Sequence, residues 1–393
     1  MSETLATGPA ARPDGQGRPP RTALGGAGTW RLSRSGVLTV ARLELRQRVR
    51  SSRWIIILAV WALALGGLAA LIHHAVFLDN GDPTVTIAQR NGAAGAAMFG
   101  WVVLLVLALG SLVAPALSAT SVNGDRAAGV LATLQATLLT PAEITVGKLL
   151  AAWTTALALL AVASPFLLWA YLLGGTPGGR LIVVLLLLAV SLLVECAIGL
   201  GWSALTARSA SSAVLTYISV AFLGLGLPVL FGLLTPVVTT TETVHYRSEE
   251  PAPTTDPNQA PLMQCVDRVE QQPVTHYERI WWILAPNPFV VIADASPPRP
   301  PGAPDATSDV LSGTRNSVRD LRLGRDALPN YCYQDPAAQH AADAKRSAER
   351  EDLPSVWPYG LAANLLLGAG FVVITVRRLR APTRRLPRGT RVA

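Results

Sequence analysis

Glu195 is the only acidic residue well inside a long apolar run, close to the end of the near-continuous stretch Leu181 to Ile198. A charged side chain at the centre of a hydrocarbon-embedded helix costs about 3 kcal/mol on insertion scales. Glu195 therefore either lines a substrate or ion path or sits protonated or hydrogen-bonded inside a bundle. His73 and His74 could titrate or bind metal, but adjacent residues point about 100° apart on a helix, and simple solvation at a membrane boundary is the competing reading. Cys196 lies in apolar sequence and reads as a small packing residue. Cys265 and Cys332 fall in a long polar segment and could form a disulfide if that segment faces an oxidising compartment. No Cys/His spacing suggests a metal site. Gly-x-Ser-x-Gly and His-Glu-x-x-His are missing, and Gly147-Lys148 runs into Leu149 with no glycine-rich loop before it. No catalytic residue is assigned, and the chain is not expected to hydrolyse nucleotide.

The other chemically dense stretch is polar and runs from Asn123 to Lys148. Asn123 and Asp125 can cap a first helix, on which Val130, Leu131, Leu134 and Leu138 share one face. Thr140-Pro141-Ala142-Glu143 then reads as a capping box with proline at the first helical position. A second helix starts at Pro141 and continues into the apolar sequence from Leu149. An ordinary interfacial helix between two spans is one reading of this stretch; a docking element for a soluble partner is the other.

The elements that carry these residues follow from composition. The 393 residues are 50% hydrophobic and 15% charged, with a mean hydropathy of +0.37. Such a chain is an integral membrane protein. Six spans are expected: Trp54 to Phe77, Gly95 to Ala119, Leu149 to Leu173, Leu181 to Ala204, Ala213 to Leu234 and Trp357 to Val376. The net charge is +8, and its densest clusters flank the spans. Arg42, Arg46, Arg48, Arg50 and Arg53 precede the first, while Arg377, Arg378, Arg380, Arg384 and Arg385 follow the last. The positive-inside rule puts both termini and the 120–148 loop in the cytoplasm. Arg90 and Arg180 fall on the opposite side as isolated interfacial charges. No aromatic interleaving accompanies the arginines, so nucleic acid is not an expected partner.

The chain then divides as follows. Residues 1–37 form a disordered cytoplasmic tail, with no cleavable signal peptide because the first apolar block begins at Trp54. Residues 38–53 form an amphipathic interfacial helix with the stripe Leu38, Ala41, Leu45 and Val49. Residues 54–234 hold the first five spans, 235–356 a long extracytoplasmic loop, 357–376 the sixth span and 377–393 a basic tail. Within the loop, Ile280 to Ala293 is apolar but broken by Pro286 and Pro288, so a re-entrant or interfacial hairpin is expected there. A hydrophobic patch that merely folds the loop is the alternative. The expected fold is an all-α membrane protein.

Asp125-Arg126, Gly129-Val130-Leu131, Leu134, Leu138-Leu139, Thr140-Pro141, Glu143-Ile144 and Gly147-Lys148 resemble the cytoplasmic signature of ABC-2 type transporter permeases. That signature commonly reads Glu-Arg, Gly-Thr-Leu, Leu-Leu, Thr-Pro, Glu-Ile and Gly-Lys at the same spacing. Asn287-Pro288-Phe289 also resembles an Asn-Pro-Phe often seen in the family. Asp125 and Val130 depart from its Glu and Thr. The resemblance implies the membrane subunit of an exporter in a bacterial cytoplasmic membrane, paired with a second copy or a related permease. It implies a separate ATP-binding subunit carrying ATP and magnesium, with no cofactor in this chain. It also implies a coupling helix from about Asp125 to Leu139, with Asp125, Arg126, Gly129, Leu131, Leu134, Thr140, Pro141, Glu143, Gly147 and Lys148 as the contact set for that subunit. Two readings from other classes stand beside it: an ion-coupled secondary transporter using Glu195, and a membrane anchor or sensor presenting the extracytoplasmic loop.

Overall fold

The computed structural model describes residues 28–49, 52–78, 86–131, 139–251, 263–297, 309–324 and 336–380. Leu134, Cys332, residues 1–27 and residues 381–393 lie outside them. Among the described residues, six helical stretches are long and apolar enough to cross a bilayer. Helix α1 (Arg34–Val49) precedes α2 (Ser52–Leu78) and α3 (Ile87–Ser118), and α4 (Ser121–Ala127) extends α3 after a break. Next come α5 (Pro141–Leu172) and α6 (Gly178–Leu205). The fifth span combines α7 (Ser209–Ala221), a π-helical turn (Phe222–Gly226) and α8 (Leu227–Leu234). A capping box at Thr86 and Gln89 starts α3 ahead of the expected Gly95, so the polar residues Gln89, Arg90 and Asn91 are helical.

The core lies where α3, α5 and α6 meet, around Phe99, Val103, Leu107, Leu159, Leu167 and Leu188. Outside it, α2 exposes Ile55, Leu63 and Leu71, while the fifth span exposes Val214, Leu225 and Leu233. Apolar surface of this extent is unfavourable in water and natural in lipid. The chain is a multi-pass membrane protein. The two ends of the bundle differ. The basal end gathers α1, α4, the start of α5 and the end of the last span; the distal end carries the long polar segment.

That distal segment is more ordered than its composition suggests. The membrane portion is all-α, but strands β1 (Thr239–Pro251) and β2 (Met263–Thr275) form a two-stranded antiparallel ribbon, with Thr239 opposite Thr275 and Pro251 opposite Met263. The signal was present in Thr239-Thr240-Thr241, Thr243-Val244 and Val266, Val269 and Val274, since β-branched residues suit a pleated surface. Residues Ile280 to Ala293 form short 3₁₀ turns followed by α9 (Pro288–Ala295), which packs against α6, α10 (Val310–Leu323) and α12 (Trp357–Arg378). Helix α11 (Pro336–Asp352) lies beside α10.

Buried ion pairs hold this assembly to the bundle. Arg180 is not an isolated interfacial charge: Nη1 donates to Asp309 Oδ2 at 2.8 Å and Nη2 to Ser312 Oγ at 3.2 Å, with both charged side chains 1% exposed. Asp294 accepts from Arg319 Nε at 2.9 Å through Oδ1. Its Oδ2 accepts from the backbone N–H of Val356 at 2.6 Å and of Trp357 at 2.9 Å, so one carboxylate both neutralises α10 and caps the start of α12. Breaking a buried pair by removing one partner costs about 3–5 kcal/mol. Asp294→Ala is therefore expected to lower the thermal midpoint of the detergent-solubilised protein sharply. The double variant with Arg319→Leu should lose less than the two single losses combined.

At the neck of the ribbon, His276 contacts Glu278 Oε1 through Nδ1 at 2.7 Å and Glu242 Oε1 through Nε2 at 2.9 Å. Hydrogen bonding to Glu278, then to Glu242, raises its pKa above the ordinary histidine range. A raised folded pKa contributes stability that is complete below the unfolded value of about 6.5 and is lost as pH rises through the folded value. The stability difference between the natural protein and His276→Gln should therefore shrink as melts are taken from mildly acidic to mildly alkaline buffer.

Candidate functional site

The capping box at the start of α5 forms, and it does more than start a helix. Thr140 Oγ1 accepts from the Glu143 backbone N–H at 3.2 Å, and Glu143 Oε2 accepts from that of Thr140 at 2.8 Å. The same two side chains also hold the segment before α1. Glu143 Oε1 accepts from the Ser33 N–H at 2.8 Å, Thr140 Oγ1 donates to the Arg31 carbonyl at 2.7 Å, and the Ala142 N–H donates to the Thr29 carbonyl at 3.3 Å. Residues 28–37 are thus held where a disordered tail was expected, because the start of α5 offers them one acceptor and two donors.

One turn and a little further along α5 lies a charged node. Lys148 is 1% exposed, and its ammonium has three protein partners: Glu44 of α1, Asp125 of α4 at 2.5 Å and the Ser121 carbonyl at 3.1 Å. An ammonium has three N–H donors, so this set satisfies it. The packing below is equally close. A Cβ on Gly147 would meet Val40 Cβ at 2.6 Å and the Val37 carbonyl at 3.0 Å, so only glycine lets α1 lie this near to α5. Arg48 of α1 donates through Nη2 to the Leu117 carbonyl at 2.7 Å.

These contacts correct several expectations. The protein-facing side of α1 is Val37, Val40, Ala41, Glu44 and Arg48, whereas Leu38 is 48% exposed. The buried face shares Ala41 with the expected stripe and adds Glu44, the acid that meets Lys148. Asn123 and Asp125 do not begin a helix. They lie inside α4, whose early N–H groups at Val122 and Asn123 are accepted by Ser203 Oγ of α6, at 2.9 and 3.2 Å. A helix starting near Asp125 is interrupted at Gly129, which adopts φ 72° just past the end of α4, and Val130 and Leu131 are helical again; residues 132–138 lie outside the described residues. Glycine in the left-handed region is a common helix terminator, and this signal was readable in sequence. Leu131 is not on a docking face: it is buried with Val122, Ile144, Leu200, Ala204 and Leu379. Gly147 and Lys148 are likewise internal.

Among the described residues of this stretch, a short run lies at the surface. Ala127, Ala128, Gly129 and Val130 are exposed, and Arg126 is half-buried. Glu195 sits apart from this cluster, on α6 within the bundle, and accepts from Ser111 Oγ of α3 at 2.6 Å. His73 packs its ring against Trp169 at 5.6 Å between centroids while His74 is exposed, and no group of three metal-ligating side chains occurs among the described residues. Cys265 on β2 is disulfide-bonded and Cys196 is a free buried thiol.

Comparison with known proteins adds one match. A family model described as ABC-2 family transporter protein covers residues 38–271, well over half of the chain, from the start of the α1 region into β2. No curated protein matches the sequence.

Removing the node's cation should be more harmful than its surface-like sequence context implies. Lys148→Met would leave Glu44 and Asp125 facing each other without a counter-ion, at a cost of about 3 kcal/mol, the low end for buried pairs because both acids keep some solvent contact. Adding Glu44→Gln should restore part of that loss in the thermal midpoint, and an additive loss would show that the three groups are not coupled.

Proposed function

The chain belongs to the ABC-2 transporter family, and from that premise we propose that it is the permease subunit of an ATP-driven exporter, powered by a separate ATP-binding subunit. Two permease chains, identical or related, would enclose the pathway, and the energy-supplying chain would bind ATP and magnesium. The arginine-rich ends place the basal face in the cytoplasm of a bacterial cell on this reading, with the ribbon and its helices outside.

The observation that carries the proposal is the construction of the basal end. Residues Asp125 to Lys148 are fastened at both ends to the bundle: Asp125 through Lys148, and Thr140 through its box and the segment before α1. Between these anchors, among the described residues, Ala127 to Val130 lie at the surface. A soluble subunit pressing on that short surface would act on α1, α4 and α5 together. The docking residues assigned here are Arg126 to Val130; Lys148, Glu143 and Gly147 hold the receiver in shape, and Leu131 roots it in the basal cluster.

Co-purification from native membranes should recover an ATPase. Val130→Glu places a charge on the exposed surface without touching the buried cluster. It should weaken that association by about tenfold or more, roughly 1.4 kcal/mol, while leaving the thermal midpoint unchanged. Leu131→Asp should instead lower the midpoint itself. A chain that purifies alone and moves substrate when ATP is depleted would overturn the proposal.

A further inference from the structure

Glu195 has only 4% of its surface exposed, and its two oxygens are treated differently. Oε1 is bonded to Ser111, while Oε2 is buried with no hydrogen-bond partner. Next to it is a cavity of about 20 Å3. Its walls are Ser191 and Val194 of α6, Val220 of α7, Leu223 of the π-helical turn, Pro288 of α9 and Asn364 of α12. One water-sized occupant needs about 10–15 Å3, so the space takes a single small species and excludes a transported molecule.

The surrounding elements leave the carboxyl without a balancing charge. On its own helix the neighbour Cys196 is a buried thiol whose Sγ lies 3.8 Å from the Ala114 carbonyl. Arg48 of α1 donates through Nη2 to the Leu117 carbonyl while its Nη1 is buried without a hydrogen-bond partner, and Tyr217 of α7 donates its hydroxyl to the Leu112 carbonyl at 2.9 Å. Asp294 of α9 is held by Arg319, and α12 presents the amide of Asn364, whose Nδ2 donates to the Pro286 carbonyl at 2.9 Å. That bond leaves the amide oxygen as the unspent acceptor. None of these groups forms an ion pair with Glu195. A bare carboxylate in the membrane interior is costly, so a positive species in the cavity is the economical neutraliser. The donor set is also of one kind: carboxylate, hydroxyl and amide oxygens suit a hard cation.

We propose that Glu195, Ser191 and Asn364 frame an intramembrane site for one small monovalent cation, held either as a proton with its water or as sodium, with Ser111 holding the carboxyl in place. The site adjoins the π-helical turn, where the Gly224 carbonyl accepts from Asn287 Nδ2 at 2.8 Å, so its occupant touches the joint between α7 and α8. Single π turns inside α-helices recur at functional sites. The inference needs α6 to lie in a bilayer and does not depend on the ATPase partnership.

The full chain in lipid nanodiscs tests it by thermal melting across mildly acidic to mildly alkaline pH, in sodium chloride against choline chloride, with Glu195→Gln alongside. A proton site predicts that the midpoint falls with rising pH whichever salt is present. A sodium site predicts that sodium raises it above choline and protects Glu195 from modification by dicyclohexylcarbodiimide, read by peptide mass spectrometry. In both cases Glu195→Gln should remove this site's share of the response, leaving only the pH dependence that His276 supplies and no sodium effect. Identical pH and sodium responses in the natural protein and Glu195→Gln would overturn the proposal. If that variant cannot be produced, Ser111→Ala keeps the carboxyl and removes its donor. It should shift the pH or sodium concentration of half-stabilisation, and an unshifted value would also overturn it. Loss of ATPase co-purification with the cation response intact would count against the transporter reading alone.

Discussion

A full positive charge sealed inside the basal end sets the terms for everything around it. Lys148 has almost no contact with solvent, and taking an ammonium out of water costs several kcal/mol that only close, well-directed partners offset. The two acids come from different elements, Glu44 from the helix before the first span and Asp125 from the extension of the second. Neutralising one lysine therefore requires α1, α4 and α5 to arrive together. The requirement is met by small residues: Gly147 admits α1 to contact, and Ser203 supplies from α6 the cap that α4 lacks within its own sequence. Buried charge of this kind adds little net stability relative to an apolar core, but it penalises every alternative arrangement strongly. It acts as a register device.

The distal end uses the same device with the signs exchanged between elements. Arg180 near the start of α6 meets Asp309 at the start of α10, and Arg319 near the end of α10 meets Asp294 of α9. The two pairs fix α10 at both ends over the mouth of the bundle. Arg315 joins Glu351 of α11 through two bonds of 2.7 and 2.8 Å, a fork geometry that adds direction as well as charge. The ribbon pairs are different in kind. Arg247 and Asp267 are 61% and 77% exposed, and pairs so wet contribute little. The ribbon's position rests on its neck at His276 and Val238 more than on its own charges.

Sequence was most informative where one rule decides the outcome. Twenty or so apolar residues must form a spanning helix, so the six spans could be read to within a few residues at most ends. Thr-Pro-x-Glu has few uses other than a helix start, and the box at Thr140 formed with both reciprocal bonds. Legibility failed wherever a polar residue was buried by a distant partner. Arg48 and Arg180 read as interfacial charges and Glu44 and Asp294 carry no local signal, because nothing nearby in sequence shows that Leu117, Asp309, Lys148 or Arg319 will come to meet them. Lys148 and Gly147, expected among the docking contacts, are buried for the same reason. Gly129 is a different case: its terminating role is local and visible, although the hydrophobic spacing of Val130, Leu131 and Leu134 continues past it.

The stiffness of α5 decides how far a displacement at the basal end can reach. The helix leaves its capping box at Pro141 and keeps its backbone ladder until Pro165 removes a donor. Some 20 residues of unbroken helix, at about 1.5 Å each, carry a push roughly 30 Å, the thickness of the hydrocarbon core. Along that length α5 is packed against α3 and α6 through Leu159, Leu167 and Leu188, and interiors of this density move as units rather than yielding. Helices α7 and α8 are built in the opposite way. Their surface is largely open to the surroundings, and their ladder is loosened at Phe222 to Gly226. Between a stiff core and a jointed outer helix, relative motion concentrates at the joint. The cavity beside Glu195 lies on that boundary, where a small change in its occupant has the most leverage on the structure.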